Sequence, residues 1–254
     1  MSNKNHILKL PVIDLHACIQ GEGKFMGIPH ILIRFTGCNL FCQFRDNICD
    51  TSYSSWFPEK GTYTINDIEG IAEQNRQIKN TLITGGEPLL YPKEIRDIIR
   101  LLKNKDHVIS VETNGTLYEE LDIDFITISP KLGNSVPKTG SVVLDINNQM
   151  HTVTEKQYLK HEKQRIKTEI LIKLIKRYDY QFKFVVQDDN DLTEIKELTD
   201  KLNIPASKIY LMPEGVTREQ LQDKRQWVIE KCIENGFRYS DRLHIVAYGN
   251  KREA

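Results

Sequence analysis

Cys38, Cys42 and Cys49 fall within a dozen residues of one another, in Gly37-Cys38-Asn39-Leu40-Phe41-Cys42 and Cys49-Asp50-Thr51. Thiolate sulfur suits zinc, copper(I) and iron–sulfur clusters. Structural zinc commonly takes four protein ligands from paired short hairpins. No second hairpin is present, although His16 or His30 could supply a fourth ligand. Three cysteines can instead hold three irons of a 4Fe–4S cube and leave the fourth iron open. On the triplet alone, cluster, zinc and ordinary core cysteines carry comparable weight. The five cysteines are an odd number, and Met1–Lys9 is polar, without the apolar segment of a secretory signal. Both facts argue against a disulfide framework. Cys18 and Cys232 read as small apolar residues.

A second group is Thr84-Gly85-Gly86-Glu87-Pro88, directly after the apolar run Thr81 to Ile83. Two glycines let a backbone approach a ligand closely, although a tight strand-to-helix turn is the simpler reading of this stretch alone. Gly21-Glu22-Gly23 with Gly27 is not a dinucleotide fingerprint, because the third glycine comes one residue late and no clear strand precedes it.

The elements that must position these groups alternate. Strands are expected at Ile31 to Phe35, Thr81 to Ile83, Val108 to Val111, Phe125 to Ile128, Phe182 to Val186, Ile209 to Met212 and His244 to Ala247. Helices are expected at Ile65 to Arg76, started near Asn66 or Asp67, and at Pro92 to Lys103, with Ile95, Ile98, Ile99 and Leu102 on one face. Leu192 to Leu202 and Arg218 to Glu234 follow, the latter with Thr217 as its N-cap. Such alternation implies an α/β fold with a mainly parallel sheet. About six units fit the length, so an incomplete (β/α) barrel is favoured over a full one, with a doubly wound sheet as the other candidate. The segment 133–177 breaks the alternation. It reads as a polar, Lys- and Glu-rich insertion that ends in a helix around Ile170 to Ile175, within one domain spanning 1–254. Its basic residues read as a solvated face.

Thirty-nine per cent of the 254 residues are hydrophobic, enough for a sizeable core, and 35 Lys and Arg balance 35 Asp and Glu. A neutral chain gives no support to a general nucleic-acid or membrane-surface binder, and no apolar run is long enough to span a bilayer. The default location is cytoplasmic.

A cysteine triplet after the first expected strand and a Gly-Gly-Glu-Pro turn after the second resemble the radical S-adenosylmethionine (SAM) enzymes. Within that superfamily, ordered blocks are similar to the 7-carboxy-7-deazaguanine synthases. They are Ile19-Gln20-Gly21-Glu22-Gly23, Gly27-Ile28-Pro29, Arg34, Gly37-Cys38-Asn39-Leu40 and Cys49-Asp50-Thr51, then Glu112-Thr113-Asn114-Gly115 and Ser129-Pro130-Lys131-Leu132, and finally Arg242-Leu243-His244 and Tyr248-Gly249-Asn250-Lys251-Arg252. The chain departs from the usual spacing: six residues separate Cys42 from Cys49, and Ile48 stands where an aromatic residue is customary.

The resemblance implies a modified, incomplete barrel and a homodimer. It implies a 4Fe–4S cluster on Cys38, Cys42 and Cys49, whose open iron chelates SAM. One electron from an external reductant such as flavodoxin or ferredoxin would then cleave SAM to methionine and a 5′-deoxyadenosyl radical. That radical would abstract hydrogen from C6 of 6-carboxy-5,6,7,8-tetrahydropterin, and the ring would contract to 7-carboxy-7-deazaguanine with loss of ammonia. Gly86, Ser129, Pro130, Lys131, Met212, Pro213, Glu214, Gly215 and Ile48 would contact SAM. Ile19, Gln20, Gly21 and Thr84 would meet the pterin, Arg34 would pair with its carboxylate, and Thr51 would place its hydroxyl on Mg2+. Gln20, Glu22 and Arg34 are the expected catalytic group, with His244 a weaker candidate. The rival readings are an activase that makes a glycyl radical on a partner protein, and a zinc-stabilised binding module.

Overall fold

A computed structural model describes residues 9–45, 47–145, 147–249 and 251–252. Asn250, expected in the last sequence block, and the Met1–Leu8 part of the polar start lie outside the described residues. Eight strands form the main sheet: β1 (Val12–Ile19), β2 (Pro29–Phe35), β3 (Asn80–Gly85), β4 (Val108–Thr113), β5 (Phe125–Ile128), β6 (Tyr180–Val186), β7 (Ile209–Pro213) and β8 (Arg238–Tyr239). They lie side by side in chain order. β1 is antiparallel to β2, and every other pairing is parallel. A doubly wound sheet would reverse strand order at a switch point. This order never reverses, so the sheet is the arc of a barrel, left open between β1 and β8.

The helices are α1 (Ile65–Gln74), α2 (Pro92–Lys103), α3 (Glu155–Gln164), α4 (Thr168–Arg177), α5 (Asp189–Leu202), α6 (Arg218–Asn235) and α7 (Leu243–Tyr248). None among the described residues is long and apolar enough to cross a membrane. α2 buries the face expected for it, Ile95, Ile98, Ile99 and Leu102. Thr217 caps α6 as expected, in a capping box with Gln220. α1 is capped by Thr64, and Asp67, one of the two residues expected near its start, closes that box from inside the helix. The sheet and helices enclose one large apolar core that includes Phe35, Phe182 and Phe184, all fully buried.

Three expectations change. β1 was missed, although it runs straight into Gly21-Glu22-Gly23. Its sequence, VIDLHACI, sets Asp14, His16 and Cys18 on one face, and all three line a cleft. Polar residues required by that cleft break the apolar run by which a strand is recognised. The cysteine loop therefore follows the second strand. His244 to Ala247 is not a strand but lies in α7, where Ile245 alone is fully buried; four apolar-rich residues cannot by themselves distinguish the two periods. The segment 133–177 holds a ribbon of Val142–Leu144 against Met150–Thr152, then α3, then α4. The helix expected at its end is α4, which buries Leu171 and Leu174 on the β5-to-β6 crossover.

Candidate active site

The C-terminal ends of the parallel strands converge on one cavity of about 590 Å³, a size typical of small-molecule sites. Cys38, Cys42 and Cys49 all line it, as do Gly86, Ser129, Lys131, Met212, Glu214 and Gly215. Ile19, Gln20, Gly21, Glu22, Arg34, Ile48, Thr51, Thr84 and His244 complete the expected residues found there. Pro130 and Pro213 are buried beside it and do not line it.

The long Cys42–Cys49 interval has a simple geometry. Gln43 pairs with Ile48 and Phe44 with Asn47 in an antiparallel hairpin. The next pair outward is Cys42 and Cys49, and the Cys49 amide donates to the Cys42 carbonyl at 3.0 Å. Residues directly opposite in such a ladder hold their Cβ atoms about 4.5–5.5 Å apart on one face. The hairpin thus restores in space what the sequence spacing loses. Arg45 at its tip has φ +49°, the left-handed conformation that tight hairpins use.

The other turns are locked around this hairpin. A Cβ on Gly86 would lie 2.3 Å from the Gly37 carbonyl and 2.4 Å from that of Ser54, so only glycine lets the turn after β3 touch the cysteine loop. The fully buried Glu87 carboxylate accepts from the backbone amides of Leu89 (3.0 Å) and Asn114 (2.7 Å) and from the Thr113 hydroxyl (2.9 Å). Its own amide donates to Gly37 O at 2.8 Å. Glu87 therefore ties together the ends of β2, β3 and β4. Burial raises its pKa to about 6, although these hydrogen bonds oppose the shift.

The cysteine surroundings fit an iron–sulfur cluster. Cys38 Sγ accepts from the Leu40 amide at 3.4 Å, and Asn114 Nδ2 lies 3.9 Å from the same sulfur. Burial raises the pKa of all three thiols, that of Cys38 to about 12; Cys49 raises Cys38 and Cys42 further, and Asp50 raises Cys49. The Lys131 ammonium opposes this in all three. Neutral sulfurs gathered in one pocket become anionic when a cationic centre binds them. Among the described residues, no three His, Cys, Asp or Glu side chains are drawn closely enough to grip a single metal ion. His30, weighed as a fourth ligand, points its Nδ1 at Ile28 O, 2.9 Å away, and does not line the cavity.

The remaining wall is a buried charge network. Lys183 Nζ sits 2.5 Å from Glu22 and 3.2 Å from Glu112. Arg242 bridges Glu22 (3.2 Å) and Asp50, and donates to Gly215 O at 2.5 Å. Burial opposes ionisation of Glu22, but Lys183 and Arg242, with His244, outweigh it and hold the carboxyl at about 2. Asp50 is likewise held well below the ordinary range: Arg242 overcomes its burial, and Thr51 donates to it at 2.8 Å. Gln20 is oriented at both ends of its amide, Nε2 donating to Glu112 at 3.3 Å and Oε1 accepting from the Glu22 amide at 3.3 Å. Thr84 donates to Glu112 at 3.5 Å. Across the cavity, the nearly fully buried Asp14 carboxylate collects Arg34 Nε (2.9 Å), Tyr53 OH (2.8 Å) and Arg252 Nε (2.7 Å).

Lys183, Asp14 and Tyr53 were missed as site residues. Lys183 is a lone cation in an apolar strand, Tyr180–Val186, whose buried position is the signal that it needs acidic partners. Asp14 sits among the apolar residues of β1 for the same reason.

The model of the radical SAM superfamily matches residues 32–175. The 7-carboxy-7-deazaguanine synthase of Halobacterium salinarum is 34% identical over 250 residues, covering 96% of this chain and 92% of that protein. That of Rhodopirellula baltica is 36% identical over 234 residues, covering 92% of this chain and 84% of its own. The crystal structure of QueE from Escherichia coli shares the fold, with a TM-score of 0.61 at 22% identity over 93% of this chain and 95% of that one. With three cysteines on a barrel-end cavity and relatives matched along nearly their whole length, the chain belongs to the radical SAM superfamily and, within it, to the 7-carboxy-7-deazaguanine synthase family.

Proposed function

We infer that the chain converts 6-carboxy-5,6,7,8-tetrahydropterin to 7-carboxy-7-deazaguanine with loss of ammonia, a lyase step in 7-deazapurine synthesis of the queuosine type. The observation that carries this reading is the shared cavity: three cysteines and a fixed polar array of Gln20, Glu22, Arg34 and Thr84 line one chamber. When bound, the 4Fe–4S cluster and SAM supply the one-electron chemistry that generates the hydrogen-abstracting radical.

Cys38, Cys42 and Cys49 would hold the cluster. Gly86, Ser129, Lys131, Met212, Glu214 and Gly215 would flank SAM, with Ile48 against its adenine; Pro130 and Pro213 would act from behind as rigid backbone. Lys131 already spans Ser129, donating to its hydroxyl at 2.9 Å and its carbonyl at 3.0 Å, which sets a cation beside the sulfurs. Glu214 is fixed by Lys224 at 2.5 Å. Ile19, Gln20, Gly21 and Thr84 would read the pterin. Gln20 suits that task because its amide is held in one orientation by Glu112 and the Glu22 backbone. Arg34 would clamp the substrate carboxylate with the rest of its planar fork while Asp14 holds Nε. Glu22 stays ionised at neutral pH and pairs with both Lys183 and Arg242, and so would order them beside a bound substrate. Thr51 would offer its hydroxyl to Mg2+, with Asp50 beside it as a fixed anion.

The whole of 1–254 would work as one domain, with 133–177 its variable segment, in a cytoplasmic homodimer. The activase and zinc-module readings are not favoured by the relatives, which carry the synthase name over most of this chain. The test is anaerobic incubation of cluster-loaded, reduced protein with the carboxytetrahydropterin, SAM and Mg2+. 7-Carboxy-7-deazaguanine is expected by mass spectrometry, and none should form with Cys49→Ala. A fully loaded wild-type enzyme that yields no deazaguanine would sink the assignment.

A further inference from the structure

Asn114 stands one residue beyond the end of β4 and is buried on the wall of the cavity. Its side-chain amide has one satisfactory orientation. Oδ1 accepts from the Thr116 backbone amide at 3.0 Å and from the Thr116 hydroxyl at 2.6 Å. A flipped amide would set nitrogen, which cannot accept, against that buried backbone N–H. Nδ2 therefore faces the cysteine loop. It carries two hydrogens: Asn39 Oδ1 takes one at 2.9 Å, and the other is left for Cys38 Sγ at 3.9 Å.

Asn39, next in sequence to Cys38, closes a ring by donating its own Nδ2 to Thr116 Oγ1 at 2.7 Å. The Asn114 backbone amide is fixed separately, by Glu87 at 2.7 Å. At Gly115 φ is +77°, and a Cβ there would lie 2.7 Å from Leu171 and 2.9 Å from Ile128, so the turn that presents Asn114 is closely packed as well as bonded. An amide that served only to brace two loops would spend both hydrogens on oxygen. This one turns a hydrogen to a sulfur that already accepts from the Leu40 amide at 3.4 Å.

One-electron reduction adds negative charge to a cluster whose ligands are already thiolates. N–H dipoles aimed at those sulfurs stabilise the added charge, and hydrogen bonding to sulfur is one of the levers that set a cluster's potential. A buried, low-dielectric setting strengthens the effect. We propose that Asn114 is a positioning residue that acts through Cys38, its amide N–H making the cluster easier to reduce. The proposal rests on the reading of Cys38 as a cluster ligand. In the couple, an external reductant loses one electron and the cluster gains it; the hydrogen stays on Asn114, and no bond is made or broken.

The test is a dithionite redox titration of the anaerobically reconstituted holoenzyme, followed by electron paramagnetic resonance. Wild type is compared with Asn114→Asp, Asn114→Leu and Thr116→Val. Asn114→Asp keeps an acceptor for Thr116 and loses the donor to sulfur. Thr116→Val removes both hydroxyl hydrogen bonds of the ring and leaves the Asn114 N–H in place. Each Asn114 variant is expected to shift the reduction equilibrium at least about tenfold toward the oxidised cluster, about 59 mV for a one-electron couple. Thr116→Val is expected to lose thermal stability and to keep the wild-type potential. In wild type labelled isotopically at the asparagine side-chain nitrogens, pulsed resonance of the reduced cluster should detect a coupled nitrogen. Unmoved potentials in both Asn114 variants, an equal shift in Thr116→Val, or no coupled nitrogen in the labelled wild type would each overturn the proposal. Loss of the cluster from both Asn114 variants would overturn it too, by making the residue a brace for Cys38. Iron and sulfide content of the wild type tests the cluster reading separately: a chain that holds no 4Fe–4S cluster ends that reading, whereas a full cluster with an unmoved potential ends only the role of Asn114.

Discussion

His161 offers the sharpest test of how 133–177 supports the cysteine loop. It is fully buried in α3. Its Nδ1 accepts from the Phe41 amide at 3.1 Å, so Nε2 carries the hydrogen, facing Ser135 Oγ at 3.1 Å. His161→Ala would remove two hydrogen bonds, strand the Phe41 N–H one residue before Cys42, and leave a cavity. At roughly 1 kcal/mol per bond plus the packing term, the expected loss is about 2–4 kcal/mol. For a chain of this size that corresponds to a fall in Tm of about 5–15 °C. His161→Asn should recover part of this, because its amide oxygen can stand where Nδ1 stood. Protonation separates the ring from a mere space-filler. Burial, with Arg165 adding to it, lowers the His161 pKa from 6.5 to about 4. The unfolded chain therefore binds the proton first, so stability present above pH 6.5 drains away as pH falls toward 4, by roughly 3 kcal/mol in total. Urea unfolding of the apo-protein at pH 7 and pH 4.5, with iron content per chain after reconstitution, measures both effects. The wild type should lose more stability across this interval than His161→Asn, and His161→Ala should retain less iron. Identical pH slopes for wild type and His161→Asn, with full iron in His161→Ala, would refute the argument.

Gly86→Ala should collapse SAM cleavage, read as 5′-deoxyadenosine, by about 10²-fold or more, because its Cβ would meet two backbone carbonyls at 2.3 and 2.4 Å. Glu22→Gln should cost about 3 kcal/mol by leaving Lys183 and Arg242 short of a buried counter-charge. It should also flatten the acid limb of stability: with its carboxyl held at about 2 against 4.5, the wild type keeps this contribution above pH 4.5 and loses it as pH falls toward 2. Asp14→Asn should loosen Arg34, raising KM for the carboxylated pterin about tenfold while kcat changes little.

Much of this was legible in the sequence because the informative residues keep their local context. The strands from Ile31 to Met212 are mostly buried on both faces and read as mainly apolar runs, and α2 shows its stripe openly. The cysteine loop and the Gly-Gly-Glu-Pro turn lie at strand ends, where position along the chain predicts position in the barrel. Legibility failed where the cleft itself dictates composition. β1 surrenders its pattern to Asp14 and His16, and Lys183 reads as an oddity until Glu22 and Glu112, distant in sequence, appear beside it. The role of 133–177 was hidden because its links to the cysteine loop run through the His161 ring, the Gln43 side chain, which accepts from the Lys138 amide and the Ser141 hydroxyl, and an aromatic cluster. None of these leaves a periodic trace.

The opposition of Cys42 and Cys49 across a ladder has a consequence for recognising such sites. What the hairpin conserves is pairing parity, not residue count. Adding one residue to each arm would move both thiols outward together and keep them facing the same way. Adding one to a single arm would turn one of them to the opposite side. Evolution can therefore lengthen this interval in balanced steps at little cost, and a search that demands a fixed number of residues between the cysteines passes over every chain that has done so.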